Sequence, residues 1–204
     1  MLQAIDLSCV RGDRRLFHGL SFTVGAGEIL RVRGDNGVGK TSLLRILAGL
    51  SPAASGTIRW RGAALDRADE DYLRDLVFIG HSNALKEDLT PAENLLAALT
   101  IAGIASREQA VRDALAAEGL KEAGRLPVQL LSQGQKRRAA LVRLTLCESR
   151  PLWILDEPFS ALDRPAMNRL CARIDSHVSR GGMVLLTTHQ DVELGGAMKS
   201  LELP

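Results

Sequence analysis

The chain has 204 residues, of which 46% are hydrophobic and 25% charged, and its formal net charge is +2. That length suits one well-cored domain and is short for two, and the charge is too small to point to nucleic acid or an anionic membrane surface as the main partner. The longest apolar runs stop well short of the roughly 18 residues that a membrane-crossing helix needs, so no such helix is expected.

The first residues, Met1-Leu2-Gln3-Ala4-Ile5-Asp6, lack a basic region followed by an apolar core and do not read as a secretory signal. Cys9, Cys147 and Cys171 are odd in number, far apart and without metal-ligand spacing. They are expected to be reduced packing residues of a cytosolic protein. No Cys-x-x-Cys-His stretch occurs, which excludes covalently attached haem.

Four short apolar runs predict strands: Ile29-Leu30-Arg31-Val32, Leu76-Val77-Phe78-Ile79, Leu152-Trp153-Ile154-Leu155 and Met183-Val184-Leu185-Leu186. They alternate with helical patterns, which argues for βαβ units and a mostly parallel sheet. The first run leads into Gly34-Asp35-Asn36-Gly37-Val38-Gly39-Lys40-Thr41, which fits G-x-x-x-x-G-K-[ST] at every fixed position, and a helical pattern follows from Ser42 to Ala48. This strand, loop and helix context is what a phosphate-binding loop requires. Glycines let backbone N–H groups turn inward around a phosphate, and the helix N-terminus adds partial positive charge. Lys40 would neutralise β- and γ-phosphate oxygens, Thr41 would ligate Mg²⁺, and Ser42 continues the phosphate-facing turn.

From about Ala84 to Leu146 the chain reads as helix after helix. Thr90-Pro91-Ala92-Glu93 is a capping box with proline at the first helical position, Ser106-Arg107-Glu108-Gln109 repeats the Ser-x-x-Gln form, and Gly119 is a helix stop. Next come Leu131-Ser132-Gln133-Gly134-Gln135 and a helix expected from Lys136 to about Leu146. Ser132 is a good N-cap, and its hydroxyl, the Gly134 backbone and the helix N-terminus would converge on one anion site. The strand at Leu152 ends in Asp156 and Glu157. Ligands of doubly wound sheets sit beyond such carboxyl ends; Asp156 would hold Mg²⁺ and Glu157 would polarise the attacking water as general base.

In this order the segments resemble the ATP-binding cassettes of ABC transporters, from about residue 2 to residue 203. The decisive match is Leu131-Ser132-Gln133-Gly134-Gln135 to the L-S-G-G-Q signature, with Gln133 in place of the first glycine. The resemblance implies an α/β fold: a P-loop NTPase core with a mostly parallel sheet, an antiparallel N-terminal β part and an inserted helical subdomain. Residues 1–204 would form one domain, the core spanning about 1–83 and 147–204 and the helical subdomain about 84–146. It implies an ATPase using ATP and Mg²⁺ that works as a head-to-tail homodimer. In such a dimer Ser132, Gly134 and Gln135 of each cassette serve the nucleotide bound by the second cassette. Ser160-Ala161-Leu162-Asp163 is similar to the loop that joins the two sites, placing Asp163 there, and His189 to the switch histidine that contacts the γ-phosphate.

Two positions depart from the family pattern. His81 stands where the family usually has a glutamine near Mg²⁺ and the membrane partner, and Arg11 stands where an aromatic residue normally stacks on adenine. Guanidinium can also stack on a base, and base specificity stays open. The run Ile79 to Lys86, the run Leu152 to Phe159 and the absence of a C-terminal extension resemble the ATP-binding subunits of haem exporters in bacterial cytochrome c maturation. That implies a peripheral ATPase on the cytoplasmic face of the inner membrane, docked on integral membrane permease subunits. It would power release of the haem-loaded periplasmic chaperone, with no direct haem binding and no nucleic-acid partner. A cassette of another small exporter and a non-transport cluster-assembly ATPase stay open. A translation-type ATPase carries two cassettes per chain, and the DNA-repair type needs heptads that are missing between Gly56 and Leu131. A P-loop kinase or GTPase leaves Ser132-Gln133-Gly134-Gln135 and His189 unexplained together.

Overall fold

The computed structural model describes residues 1–66 and 69–204. In chain order the elements are β1 (Leu2–Arg11), β2 (Arg14–Val24), β3 (Glu28–Arg33), α1 (Lys40–Leu47), β4 (Ser55–Trp60), β5 (Ala63–Ala64), α2 (Glu70–Asp75) and β6 (Leu76–Ile79). There follow α3 (Pro91–Ile101), α4 (Glu108–Ala117), two 3₁₀ turns at Ala123–Arg125 and Val128–Leu130, and α5 (Gln133–Leu146). The chain closes with β7 (Leu152–Asp156), α6 (Arg164–Ser179), β8 (Met183–Thr187) and β9 (Ala197–Glu202).

Two sheets form. One is antiparallel, in the order β2-β1-β4-β5, and the other is parallel throughout, in the order β6-β7-β8-β3-β9. The four strands expected from apolar runs all lie in the parallel sheet. Every residue of β7 and β8 is buried, as a parallel sheet covered on both faces demands. The period-two alternation of β7 divides the core. Leu152 and Ile154 pack with Leu43, Leu44 and Leu47 of α1 and with the antiparallel sheet, whereas Trp153 and Leu155 pack with residues of α3 to α6.

Among the described residues no strand interrupts the stretch from 84 to 146. Thr90 caps α3 through the expected reciprocal box with Glu93. Gly119, at φ +71°, ends α4 as expected: its N–H donates to the Ala116 carbonyl and that of Leu120 to the Leu115 carbonyl, the double bond of a Schellman turn. Two local expectations are corrected. The cap residue of α4 is Arg107, with no side-chain cap bond, so the Ser106 form builds no capping box. And α5 opens at Gln133, three residues before Lys136, because Gln135 returns the Ser132 cap bond and so closes a first turn that includes Gln133 and Gly134.

Candidate active site

The order of the parallel sheet sets the site. Strands β7, β8 and β3 are neighbours, so the loop after β3, the acids ending β7 and the turn after β8 meet at one edge. There Arg11, Leu16, Asn36, Gly37, Gly39, Lys40, Thr41, Ser42, His81, Asp156, Glu157 and His189 line a cavity of about 510 Å³. Of the residues expected from sequence, this unites Asn36, Gly37, Gly39, Lys40, Thr41 and Ser42 of the phosphate loop, the two acids, both histidines and Arg11, while Gly34, Asp35 and Val38 do not line it. A second cavity, of about 490 Å³, shares Thr41, His81 and Asp156 with it and continues along the 78–84 segment to Arg143.

The phosphate loop takes backbone conformations that side chains resist. Gly34, Gly37 and Gly39 lie at φ +131°, +81° and +117°. A Cβ on Gly39 would come within 3.1 Å of Leu16, and one on Gly34 within 3.0 Å of the Leu203 carbonyl. Lys40 Nζ donates to the carbonyls of Gly34 at 2.7 Å and Asp35 at 3.0 Å, which stretches the lysine across the loop.

The acidic end is a chain of directed bonds. Thr41 Oγ1 donates to Asp156 Oδ2 at 2.8 Å, and Thr187 Oγ1 donates to Asp156 Oδ1 at 2.8 Å. The Thr187 oxygen in turn accepts the Glu157 N–H at 2.9 Å. Glu157 sits at φ +49°, a left-handed conformation that costs a residue with a Cβ roughly 1–2 kcal/mol. Its carboxylate faces His189: Oε2 accepts the His189 backbone N–H at 3.3 Å, and Oε1 lies 3.5 Å from His189 Nε2. That Oε1 is buried and has no hydrogen-bond partner among the described residues.

Thr41 and Asp156 thus offer two oxygens beside the phosphate loop. Among the described residues no group of three or more His, Cys, Asp or Glu stands ready to cage a metal. Two protein oxygens fit a hard cation that takes its remaining ligands from phosphate and water, as Mg²⁺ does at nucleotide sites.

Ser132, Gly134, Gln135 and Asp163 line neither cavity. Ser132 caps α5 and Asp163 caps α6, its carboxylate accepting from the Ala166 N–H at 2.8 Å. The two segments touch, since a Cβ on Gly134 would meet the Ala161 carbonyl at 2.8 Å. The Ser132 hydroxyl accepts one bond from the Gln135 N–H and keeps its own proton to donate.

Three residues of this site were not anticipated. Thr187 pairs with Asp156 across β7 and β8, and a hydroxyl ending the strand beside the acidic one was the signal for it. Arg31 of β3 donates to the carbonyls of Thr188 at 3.3 Å and Gln190 at 3.1 Å, gripping the turn on both sides of His189. Arg137 of α5 is 2% exposed and bonds to the backbone around both acids. Nothing in its local sequence separates it from its neighbours Lys136 and Arg138.

Comparison with known proteins places these features. Residues 17–160 match the ABC transporter family. The cytochrome c biogenesis ATP-binding export protein CcmA of Dechloromonas aromatica (strain RCB) is 52% identical over the full length of both chains. Its counterpart in Pseudomonas aeruginosa is 52% identical over 95% of each. Among solved structures, an ATP-binding subunit of an ABC transporter superposes with a TM-score of 0.81 at 30% identity, covering 92% of this chain and 79% of that one. A dimeric ATP-binding cassette in a post-hydrolysis state, bound to ADP and Pi, superposes with a TM-score of 0.80 at 21% identity, covering 93% and 88%. That last likeness is one of fold.

Proposed function

The chain belongs to the ABC transporter family and is an ATPase of that type, and from this premise we propose that it drives an export complex serving cytochrome c biogenesis, with Glu157 as the base that activates water. The observation that carries the chemistry is the buried, unpartnered Glu157 Oε1 beside His189, in the cavity that also holds the phosphate loop. A proton acceptor needs a free lone pair, and this carboxylate oxygen, with no hydrogen bond of its own among the described residues, has one.

The other residues take roles that their positions support. Lys40 leaves the Gly34 and Asp35 carbonyls to meet β- and γ-phosphate oxygens of ATP, and the amides at the start of α1 bind the same anion. Thr41 and Asp156 hold Mg²⁺, which supplies charge neutralisation to the phosphates. His189, fixed by Arg31 through the carbonyls on either side, reads the γ-phosphate. Arg11, on the wall of the same cavity as Leu16, stacks on adenine through its guanidinium.

Two cassettes work head to tail. Ser132, Gly134, Gln135 and Asp163 lie outside the chain's own cavity, at the capped N-termini of α5 and α6, which supports their serving the nucleotide of a second copy. Residues 84–146 act as a helical subdomain on the core formed by 1–83 and 147–204. Among the described residues no helix is long and apolar enough to cross a membrane, so transport is delivered by contact. The cavity beside His81 and Arg143 is the docking place for integral membrane subunits on the cytoplasmic side. The relatives' name supplies the task, cytochrome c biogenesis, and the step proposed for this chain within it is release of a haem-loaded periplasmic chaperone.

One substitution tests both levels. Glu157→Gln should bind ATP as the wild type does while hydrolysis falls by roughly 10²–10⁴. Introduced into the chromosomal gene, it should remove c-type cytochromes from haem-stained membranes and leave b-type cytochromes. Near-normal turnover would reject Glu157 as the base; normal c-type cytochromes with dead hydrolysis would reject the cytochrome role and leave the cassette.

A further inference from the structure

A guanidinium has five N–H groups in a rigid planar fork, and Arg137 uses all of them on one junction. Nη2 donates to the carbonyls of Asp156 at 2.9 Å and Glu157 at 2.8 Å. Nε donates to the Pro158 carbonyl at 3.3 Å. Nη1 donates to the Gly80 carbonyl at 2.9 Å and to Asn83 Oδ1 at 3.3 Å. Three segments far apart in sequence therefore end on one side chain: the acidic strand end, the loop that carries His81, and α5 itself. Ser132, the cap of α5, lies about one turn away from Arg137 along that helix.

The partners are mostly backbone carbonyls rather than carboxylates, so the fork fixes chain path more than charge. Glu157 shows what that achieves. Its N–H is held by Thr187 and its carbonyl by Arg137. The two bonds pin both peptide groups of a residue whose φ of +49° would otherwise relax to an ordinary conformation. Relaxation would swing the carboxylate away from His189. Burial lowers the Arg137 pKa, opposed by the Asp156 and Glu157 charges, and a fully bonded fork is what keeps such a buried cation in place.

We propose that Arg137 is a positioning residue for hydrolysis. Its fork holds Glu157 in the left-handed conformation, and it ties that conformation to whatever shifts α5 through Ser132 or the 80–83 loop beside His81. A displacement of α5 moves the whole fork, and one of the 80–83 loop pulls on its two Nη1 bonds, so a ligand at Ser132 and a partner at that loop act on the base through one side chain.

The inference rests on Glu157 being the base, and the experiment separates the two. Arg137→Lys keeps the charge but offers one rotating ammonium in place of the fork. In purified full-length chain, nucleotide affinity should stay within about threefold of wild type while kcat falls about 100-fold or more. Combined with Glu157→Gln, the substitution should cause little further loss, because both act through one carboxylate. A kcat near wild type, losses that multiply in the double variant, or affinity falling in step with kcat would each overturn the assignment to Arg137. Unchanged turnover in Glu157→Gln alone would instead overturn the base. If Arg137→Lys does not fold, Asn83→Ala removes one of the five anchors at a half-buried position. It should show the same split at smaller amplitude, a kcat down about three- to tenfold at constant affinity; an unaltered kcat there overturns the proposal.

Discussion

His177 lies flat against Trp153, the ring centroids 3.8 Å apart and the planes 6° from parallel. It is 2% exposed, its Nε2 and the Trp153 Nε1 are buried without hydrogen-bond partners among the described residues, and a Cβ on Gly182 would run into its ring. Burial pushes the imidazole pKa down to about 4; a bond with the Pro151 backbone opposes the shift and the Arg180 charge adds to it. The unfolded chain binds this proton near pH 6.5 and the folded one only near 4, so between those values the unfolded state holds more protons and stability rises with pH. It is complete above the upper value. At pH 5 the loss relative to pH 7.5 should be about 2 kcal/mol from this group, read as a lower urea midpoint, and His177→Phe should flatten the slope; an equally steep profile in that variant rejects His177 as its source. At this scale the sequence was legible where chemistry is local. The phosphate loop, Asp156, Glu157 and His189 announce themselves by spacing. Thr187, Arg31 and Arg137 do not, because each acts on groups 19 to 159 residues away, and their meaning exists only once the strands and helices are laid side by side.

Between elements, Glu118 ties three helices together. At the end of α4, its nearly buried carboxylate pairs with Arg169 at 3.1 Å and with Arg173, both on α6, while its carbonyl accepts from Arg138 of α5 at 2.8 Å. Glu118→Gln leaves two arginines facing a neutral group, and the unfolding free energy should drop by about 2 kcal/mol with an unchanged urea m-value. An unshifted midpoint would mean that the helices hold together by apolar packing alone. The sequence foretold four parallel strands from their apolar runs because those strands are covered on both faces. It was silent on β9, whose residues are mostly exposed at the sheet edge, and on the individual strands β4 and β5, whose patterns carry little burial. Ser106 misled because a capping pattern needs its serine at the helix boundary, and here the boundary falls one residue later.

At the scale of the whole molecule, neither Gly134 nor the Ala161 it touches lines the phosphate cavity, and in the head-to-tail dimer proposed above the two places would each supply half of a shared site. Two-fold symmetry is the common way to bring such halves together. Lys40→Ala and Ser132→Arg homodimers should each be inactive. Mixed, they should recover part of the wild-type rate, because a mixed dimer gathers both lesions in one site and leaves the second whole. Hydrolysis that is first order in protein and shows no recovery on mixing would mean that each chain is self-sufficient. The order of the motifs suggests this division, while the direct contact between the signature and the 160–163 loop is visible only in the structure.

The Leu203 carbonyl stands behind Gly34, and the Leu203 N–H donates to the Arg33 carbonyl at 3.0 Å. For protein engineering this makes the two ends unequal. A purification tag or fluorescent fusion attached behind Pro204 would emerge beside the phosphate loop and tug on it. At the other end, β1 separates Met1 from Arg11 by about 30 Å of extended chain, so a fusion there leaves the nucleotide cavity undisturbed.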